Sequence, residues 1–315
     1  MTGRAIRRLA VAAMGMGSLL GLAGVAAPSQ AAAVAAPVLT GLEKVQSEVM
    51  PSDVNSVSPK SALAKCPAGK KVVGGGGWTF ETSTTAPERL TLTQLQPMDN
   101  VGDGHGSDGY RVTAAETAPG VSGNWWVQAY AWCADASSVP GWHINAAYDG
   151  GTTSDPQEQV EVGCDDPSRQ RVVGTGAMIG GVADESQGQV VLQTARASGT
   201  GDIARAQSHE DATGYGGNHW LAVYAVCMDT PQGYEVVSDP SAQQDSETYK
   251  HAVVQCPDGR APVNAGAGIS TSAPGHVSLQ KVFPGSQAEA GAVENTPTGQ
   301  DWDYIVAQGI CVDTA

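Results

Sequence analysis

The chain has two phenylalanines among 315 residues, and aromatics make up only 5% of it. A core must therefore be built from small and β-branched side chains. Basic residues are also scarce, seventeen against thirty-two acidic ones, and they form no patch. A charge of that sign repels nucleic acid and anionic lipid, so neither is expected as a partner. There is no Cys-x-x-Cys pair: the closest cysteines, Cys227 and Cys256, stand 29 residues apart. Paired-thiol zinc and redox motifs are excluded with it. Gly-x-Ser-x-Gly and His-Glu-x-x-His are also missing, which removes support for those hydrolase types. The glycine run Gly74–Gly77 has no following helix and no Lys-Ser/Thr pair, so it is not a phosphate loop. Beyond the leader, no stretch shows a capped helical period. Nor is any later apolar run long enough to span a bilayer.

The leader itself is informative. Arg4, Arg7 and Arg8 precede an apolar stretch from Leu9 to Ala27. Ser29-Gln30-Ala31 and Ala31-Ala32-Ala33 then place small residues at −3 and −1. This is the pattern of a cleaved secretory signal over residues 1–33, not of a membrane anchor. Its removal leaves fourteen basic side chains against thirty-two acidic ones, a charge of −18. The expected location is extracellular. Residues 34–50 are expected to form a flexible arm, able to order on binding.

Three segments of the remainder match. The first opens CPAGKKVVGGG at Cys66 and closes NWWVQAYAWCAD at Asp135; the second runs from CDDPSRQRVVGTG at Cys164 to NHWLAVYAVCMD at Asp229. The third runs from CPDGRAPVNAGAG at Cys256 to DYIVAQGICVD at Asp313. Each has Gly-x-Gly after a Val (Gly74/Gly76, Gly174/Gly176, Gly266/Gly268) and an inner strand pattern at Leu90–Thr93, Val190–Gln193 or Val277–Gln280. The repeats run over 41–136, 140–230 and 233–313. Short Val- and Thr-rich runs punctuated by Gly, Pro, Asn and Asp read as strands throughout. The fold expected is all-β, with three pseudo-symmetric antiparallel repeats.

Six cysteines in an exported chain imply three disulfides. Two connectivities treat the repeats alike. Pairing within repeats gives Cys66–Cys133, Cys164–Cys227 and Cys256–Cys311. Pairing between repeats gives Cys133–Cys164, Cys227–Cys256 and Cys66–Cys311. The first is favoured because it lets each unit fold alone; the second stays open. Along the closing strands, alternation puts Val127, Ala129, Ala131 and Cys133 on one small apolar face. Leu221, Val223, Ala225 and Cys227 match it, as do Ile305, Ala307, Gly309 and Cys311. The opposite face carries Trp126, Gln128, Tyr130 and Trp132, then Trp220 and Tyr224, then Tyr304 and Gln308. It either packs on another repeat or forms an aromatic platform.

These motifs resemble secreted proteins of high-GC Gram-positive bacteria with CPxGKxVxGGG…WxVxAYAxC repeats. The first repeat fits best. The second has Asp165-Asp166-Pro167 after its Cys, and the third has Tyr304 and Gln308 in place of the Trp and Tyr. The resemblance covers most of the chain and implies no activity. Three Cys-closed β repeats are also similar in plan to the β-prism of the vitelline membrane outer layer family. That resemblance implies a β-prism-like body, or three small packed sheets, and no function.

Candidate chemistry is thin. His209, Glu210, Asp211 and His219 cluster in polar sequence without metal-ligand spacing. The loop Asp99–Gly109 has three carboxylates that calcium could use, but not at EF-hand spacing. No metal or cofactor is expected. Asp135, Asp229 and Asp313 recur two residues after a Cys and read as turn formers. The best lead is aromatic: five of seven tryptophans, Trp78, Trp125, Trp126, Trp132 and Trp142, lie in the first repeat or its junction with the second. Rigid aromatics dominate hot spots and sugar-stacking surfaces. The expected binding residues are Trp125, Trp126, Tyr130, Trp132, Trp142, Trp220 and Tyr224. The expected function is a secreted, non-catalytic binding module. It would act as a protein–protein adaptor or a subunit of an extracellular assembly, such as an antibacterial toxin particle. The alternatives are a lectin-like binder of wall or surface polysaccharide and, behind it, an extracellular hydrolase.

Overall fold

Short runs of Val, Ala and Thr broken by Gly, Pro and Asp cannot sustain helices, and they pair instead. A computed structural model describes residues 35–47, 54–82, 89–101, 106–149, 154–183, 186–241, 245–295 and 301–314. The expected signal at 1–33 lies outside them. The first repeat supplies β1 (Glu43–Gln46), β2 (Lys60–Lys65), β3 (Lys70–Glu81), β4 (Leu90–Met98), β5 (Gly109–Glu116) and β6 (Trp125–Asp135). The second supplies β7 (His143–Tyr148), β8 (Gln157–Gly163), β9 (Gln170–Gly180), β10 (Val190–Ala197), β11 (Ile203–Glu210) and β12 (Trp220–Asp229). The third supplies β13 (Glu235–Pro240), β14 (Tyr249–Val254), β15 (Arg260–Ser270), β16 (Val277–Pro284), β17 (Ala288–Glu294) and β18 (Tyr304–Asp313). Among the described residues no helix is long and apolar enough to cross a membrane.

These strands form three six-stranded antiparallel sheets, each shared by two repeats. Sheet I is β1-β6-β3-β16-β17-β14, sheet II is β2-β5-β4-β9-β12-β7 and sheet III is β13-β18-β15-β10-β11-β8. Every repeat thus gives three strands to one sheet and three to the next. Two residue pairs join the halves of each sheet: Lys281/Trp78 and Val282/Gly77, Gln94/Met178 and Leu95/Ala177, Thr194/Gly268 and Ala195/Ala267. The disulfides follow the within-repeat pairing, Cys66–Cys133, Cys164–Cys227 and Cys256–Cys311. Each ties the end of a strand in one sheet to a strand of the neighbouring sheet, so each staples two half-sheets of one repeat. Part of the expected 34–50 arm is built into the fold. Leu39 is buried, and β1 pairs with β6 along Glu43–Gln46. Residues 34 and 48–50 lie outside the described residues.

The small apolar faces are buried, as alternation requires: Ala129, Ala131, Cys133, Leu221, Val223, Ala225, Ile305 and Ala307 have almost no exposed surface. Bulges recur at Val73, Val173 and Val263, and again at Thr93, Gln193 and Gln280. They correct the sequence alignment of the third repeat. The counterparts of Gly74/Gly76 are Asn264/Gly266, two residues before the expected Gly266/Gly268. The middle of the fold shows why an Asn stands there. A Cβ on Gly74 would meet the Val263 carbonyl, and one on Gly174 would meet the Val73 carbonyl. Asn264 is fully buried between them. Its Oδ1 accepts from Gly75 N at 3.2 Å and Thr175 N at 3.3 Å, and its Nδ2 donates to Thr175 Oγ1 and Ala265 O. One amide therefore bonds all three repeats. Asn264→Ala will cost about 2 kcal/mol, because two buried N–H groups lose their acceptor. Urea denaturation measures it, and an unchanged midpoint would mean that the central amides find another partner.

The recurring Asp residues make a different turn from the one expected. Their carboxylates pair with the basic residue that opens β3 or β15, or just precedes β9: Lys70–Asp135 at 3.6 Å, Arg260–Asp313 at 3.3 Å and Arg169–Asp229 at 3.0 Å. Each carboxylate also presses on a left-handed glycine, Gly41, Gly141 or Gly233, where a Cβ has no room. The residue after the second and third of these glycines, Trp142 or Tyr234, donates to the preceding repeat, at Val72 O (2.7 Å) or Val172 O (2.8 Å).

Candidate binding face

The seven aromatics expected to bind are not brought together. Trp125 shares the inward side of β6 with Val127 and is 0% exposed. Its Nε1 donates to Glu116 Oε1 at 2.7 Å, and Lys60 lies 4.8 Å from its ring. It is a core residue, not a contact residue. Trp142 is a strut between repeats, with Lys71 over its ring at 4.1 Å. Trp220 and Tyr224 lie on sheet II, in β12. Tyr224 is almost covered, and Trp220 closes over Gly180, where a Cβ would strike its ring.

Trp126, Tyr130 and Trp132 do share a surface, the outward side of sheet I. Alternation along β3 adds Trp78 and Phe80 beside them, and β16 of the third repeat adds Lys281 and Phe283. Phe80 stacks on Trp126, with centroids 5.0 Å apart and planes 3° from parallel. Trp78 lies 4.2 Å from Phe80 and 6.4 Å from Phe283. Tyr130, beneath, meets Phe283 edge-on at 4.7 Å and donates to Gln128 Oε1. Trp132 Nε1 donates to Pro284 O at 3.1 Å, which fixes its ring across the junction of the repeats. Two cations flank the rings. Lys281 sits 3.9 Å from the Trp78 centroid and bonds Glu289 at 2.6 Å. Lys44 sits 4.8 Å from Phe283, and partial burial lowers its pKa, with Glu289 opposing. Trp78, Phe80, Trp126, Trp132 and Phe283 all remain partly exposed. Trp78 and Phe80 were legible from the period of β3. Phe283 and Lys281 were not, since nothing local says that β16 joins β3.

The same positions on the other sheets hold different chemistry. On sheet II, Gln94, Gln96, Thr113 and Ser61 form a polar ladder that ends on the Tyr224 hydroxyl, at 3.1 Å from Gln96 Nε2. On sheet III, the place of Tyr130 and Tyr224 is taken by Gln308, and that of Trp78 and Met178 by Gly268. The outward face of sheet II also carries Tyr148, Trp220 and Tyr224, but among the described residues rings stack into one cluster only on sheet I.

The remaining candidates resolve into structure. Asp108 is buried and accepts from Lys71, Val72 N and Asn100 N; burial, foremost, raises its pKa. It pins its loop, of which residues 102–105 lie outside the described residues. Burial lowers the pKa of His209, whose ring meets Gln207. Both ring nitrogens of His219 are buried without a hydrogen-bond partner. Among the described residues no three His, Cys, Asp or Glu side chains are placed to hold a metal ion. No protein-family model and no curated protein matches the chain.

Proposed function

We propose that the protein is an exported, non-catalytic binding module that docks an extracellular protein through the aromatic face of sheet I. The observation that carries this reading is the asymmetry: one of three equivalent sheet faces bears Trp78, Phe80, Trp126, Trp132 and Phe283, with Lys44 and Lys281 beside them. Rigid aromatic clusters flanked by polar groups are the usual centres of protein interfaces. A repeating glycan favours several like sites, which raise avidity. A single stacked cluster therefore favours a protein partner over polysaccharide. Three disulfides and the leader pattern support export. The test uses residues 34–315 as bait in culture supernatant and cell-wall extract. Capture of a defined protein that survives glycosidase treatment, and is lost in Trp126→Ala with folding intact, is the expected result. Retention on wall polysaccharide that free sugar releases would replace the adaptor with a lectin.

A further inference from the structure

Sheet III carries a cleft at a row of residues where its two counterparts hold a tyrosine. A row of paired residues crosses the sheet: Ser238–Gln308–Gly266, then Arg196–Arg205–Glu161. The matching row of sheet I is Gln46–Tyr130–Gly76, then Phe283–Glu289–Val253. In sheet II it is Ala146–Tyr224–Gly176, then Gln96–Arg111–Leu63. Where a tyrosine ring fills the row in sheets I and II, Gln308 folds back in sheet III. Its Oε1 accepts from Ala197 N at 2.7 Å, and its Nε2 donates to Ala197 O at 3.0 Å. The counterparts of Ala197 are Pro97 and Pro284, which have no N–H to satisfy. One exchange thus removes a ring and satisfies the backbone that its loss would bare.

The vacated space is a cleft of about 250 Å3, lined by Arg196, Arg205, Ser198, Gly199, Ser238 and Gln308. It is smaller than the ~300–1,000 Å3 typical of drug-sized ligands and suits one small unit. Two like charges face each other across β10 and β11, an arrangement that destabilises a sheet. Arg205 is matched by Glu161 at 2.6 Å. Arg196 has no carboxylate partner among the described residues. Its guanidinium lies over Gly268, where a Cβ would approach Nε to 3.3 Å. Burial, and then Arg205, lower its pKa, with Tyr304 opposing. Arg196, partly buried and with no carboxylate partner among the described residues, thus lines the cleft with its guanidinium at the Gly268 side.

We propose that this cleft binds a carboxylate carried on a single acidic sugar unit. One unmatched positive charge balances one negative charge, which fits a carboxylate better than a phosphate dianion. A guanidinium fork also matches a planar carboxylate with two hydrogen bonds. The rest of the lining is hydroxyl, amide, alanine and glycine, with no aromatic ring. It therefore suits a hydroxylated ring where the other sheets seat a phenol. This site lies on a different sheet from the aromatic face and does not depend on it.

Titration calorimetry with sodium glucuronate, glucose, acetate and inorganic phosphate tests the assignment. Glucuronate is expected to saturate with a Kd on the order of 1 mM, weakening as salt screens the charge. Glucose and acetate are expected to bind at least about tenfold more weakly, since each supplies only half of the match. Arg196→Gln is expected to remove binding. Gln308→Tyr, which restores the residue at the equivalent positions, is expected to remove it by filling the cleft while Arg196 stays. Far-UV circular dichroism and the thermal midpoint check that both variants fold. Failure of glucuronate to saturate would overturn the proposal, as would unchanged binding in either folded variant. Acetate binding equal to glucuronate would overturn the sugar assignment, and preferred phosphate binding would overturn the carboxylate.

Discussion

Trp125→Ala will cost about 3–5 kcal/mol of stability, the loss typical of a buried tryptophan truncated in a core that cannot collapse. Its ring has no exposed surface. It also holds polar partners that would be left behind. Glu116 Oε1 would lose the indole N–H, and the Lys60 ammonium, which donates to Asn55 O and Trp125 O, would lose the ring beneath it. Glu81, whose pKa is raised by burial and then by Glu116, adds a second carboxylate to the same corner. The neighbouring substitution makes the contrast. Trp126→Ala removes a half-buried ring whose one ring partner is Phe80, and should cost about 1 kcal/mol. Urea denaturation of the two variants checks both. If Trp125→Ala cost no more than Trp126→Ala, the inward placement of Trp125 would be wrong.

Replacing Cys164 and Cys227 together by alanine will remove about 4 kcal/mol, by the chain-closure relation for a loop of 63 residues. The bond joins the end of β8 in sheet III to β12 in sheet II, so its loop contains β9 to β12, two of the three strands of each half-sheet. Freed of it, the unfolded second repeat regains the closure entropy of that loop. The loops of the other two bonds, 67 and 55 residues, are close enough in length that all three double variants should agree within about 0.2 kcal/mol. Equilibrium denaturation without reductant measures each loss. A loss below about 1 kcal/mol would show that the unbridged repeat keeps its corner in the denatured state, and the entropic account would fall.

Much of this architecture was written locally. A period of two told which side of β6, β12 and β18 was core, because a strand's side chains alternate whatever it pairs with. It also told the side of Trp125, which shares a parity with Val127; grouping it with the binding aromatics went against its own strand. Recurrence of the cysteines limited the disulfides to two schemes, and the structure has the one within repeats. The third repeat was misaligned by two residues at its glycines. A bulge at Val263 changes strand register without leaving a local signature, and glycine-rich sequence offers several equal matches.

What the sequence determined, then, was the strand set, its inward faces and the staples, all fixed by neighbours in the chain or by recurrence. Tertiary structure decided how the strands are shared: each repeat splits between two sheets, and two residue pairs join each half to a neighbour. That sharing brings Phe283 and Lys281 onto the aromatics of the first repeat, and Arg196 of the second onto Gln308 and Gly268 of the third. A site made by two repeats depends on how closely the half-sheets of one sheet approach, which is set by contacts such as Gly76 on Val282 O, Gly176 on Leu95 O and Gly266 on Arg196. No window of sequence contains both sides of that contact, so periodicity could not show it.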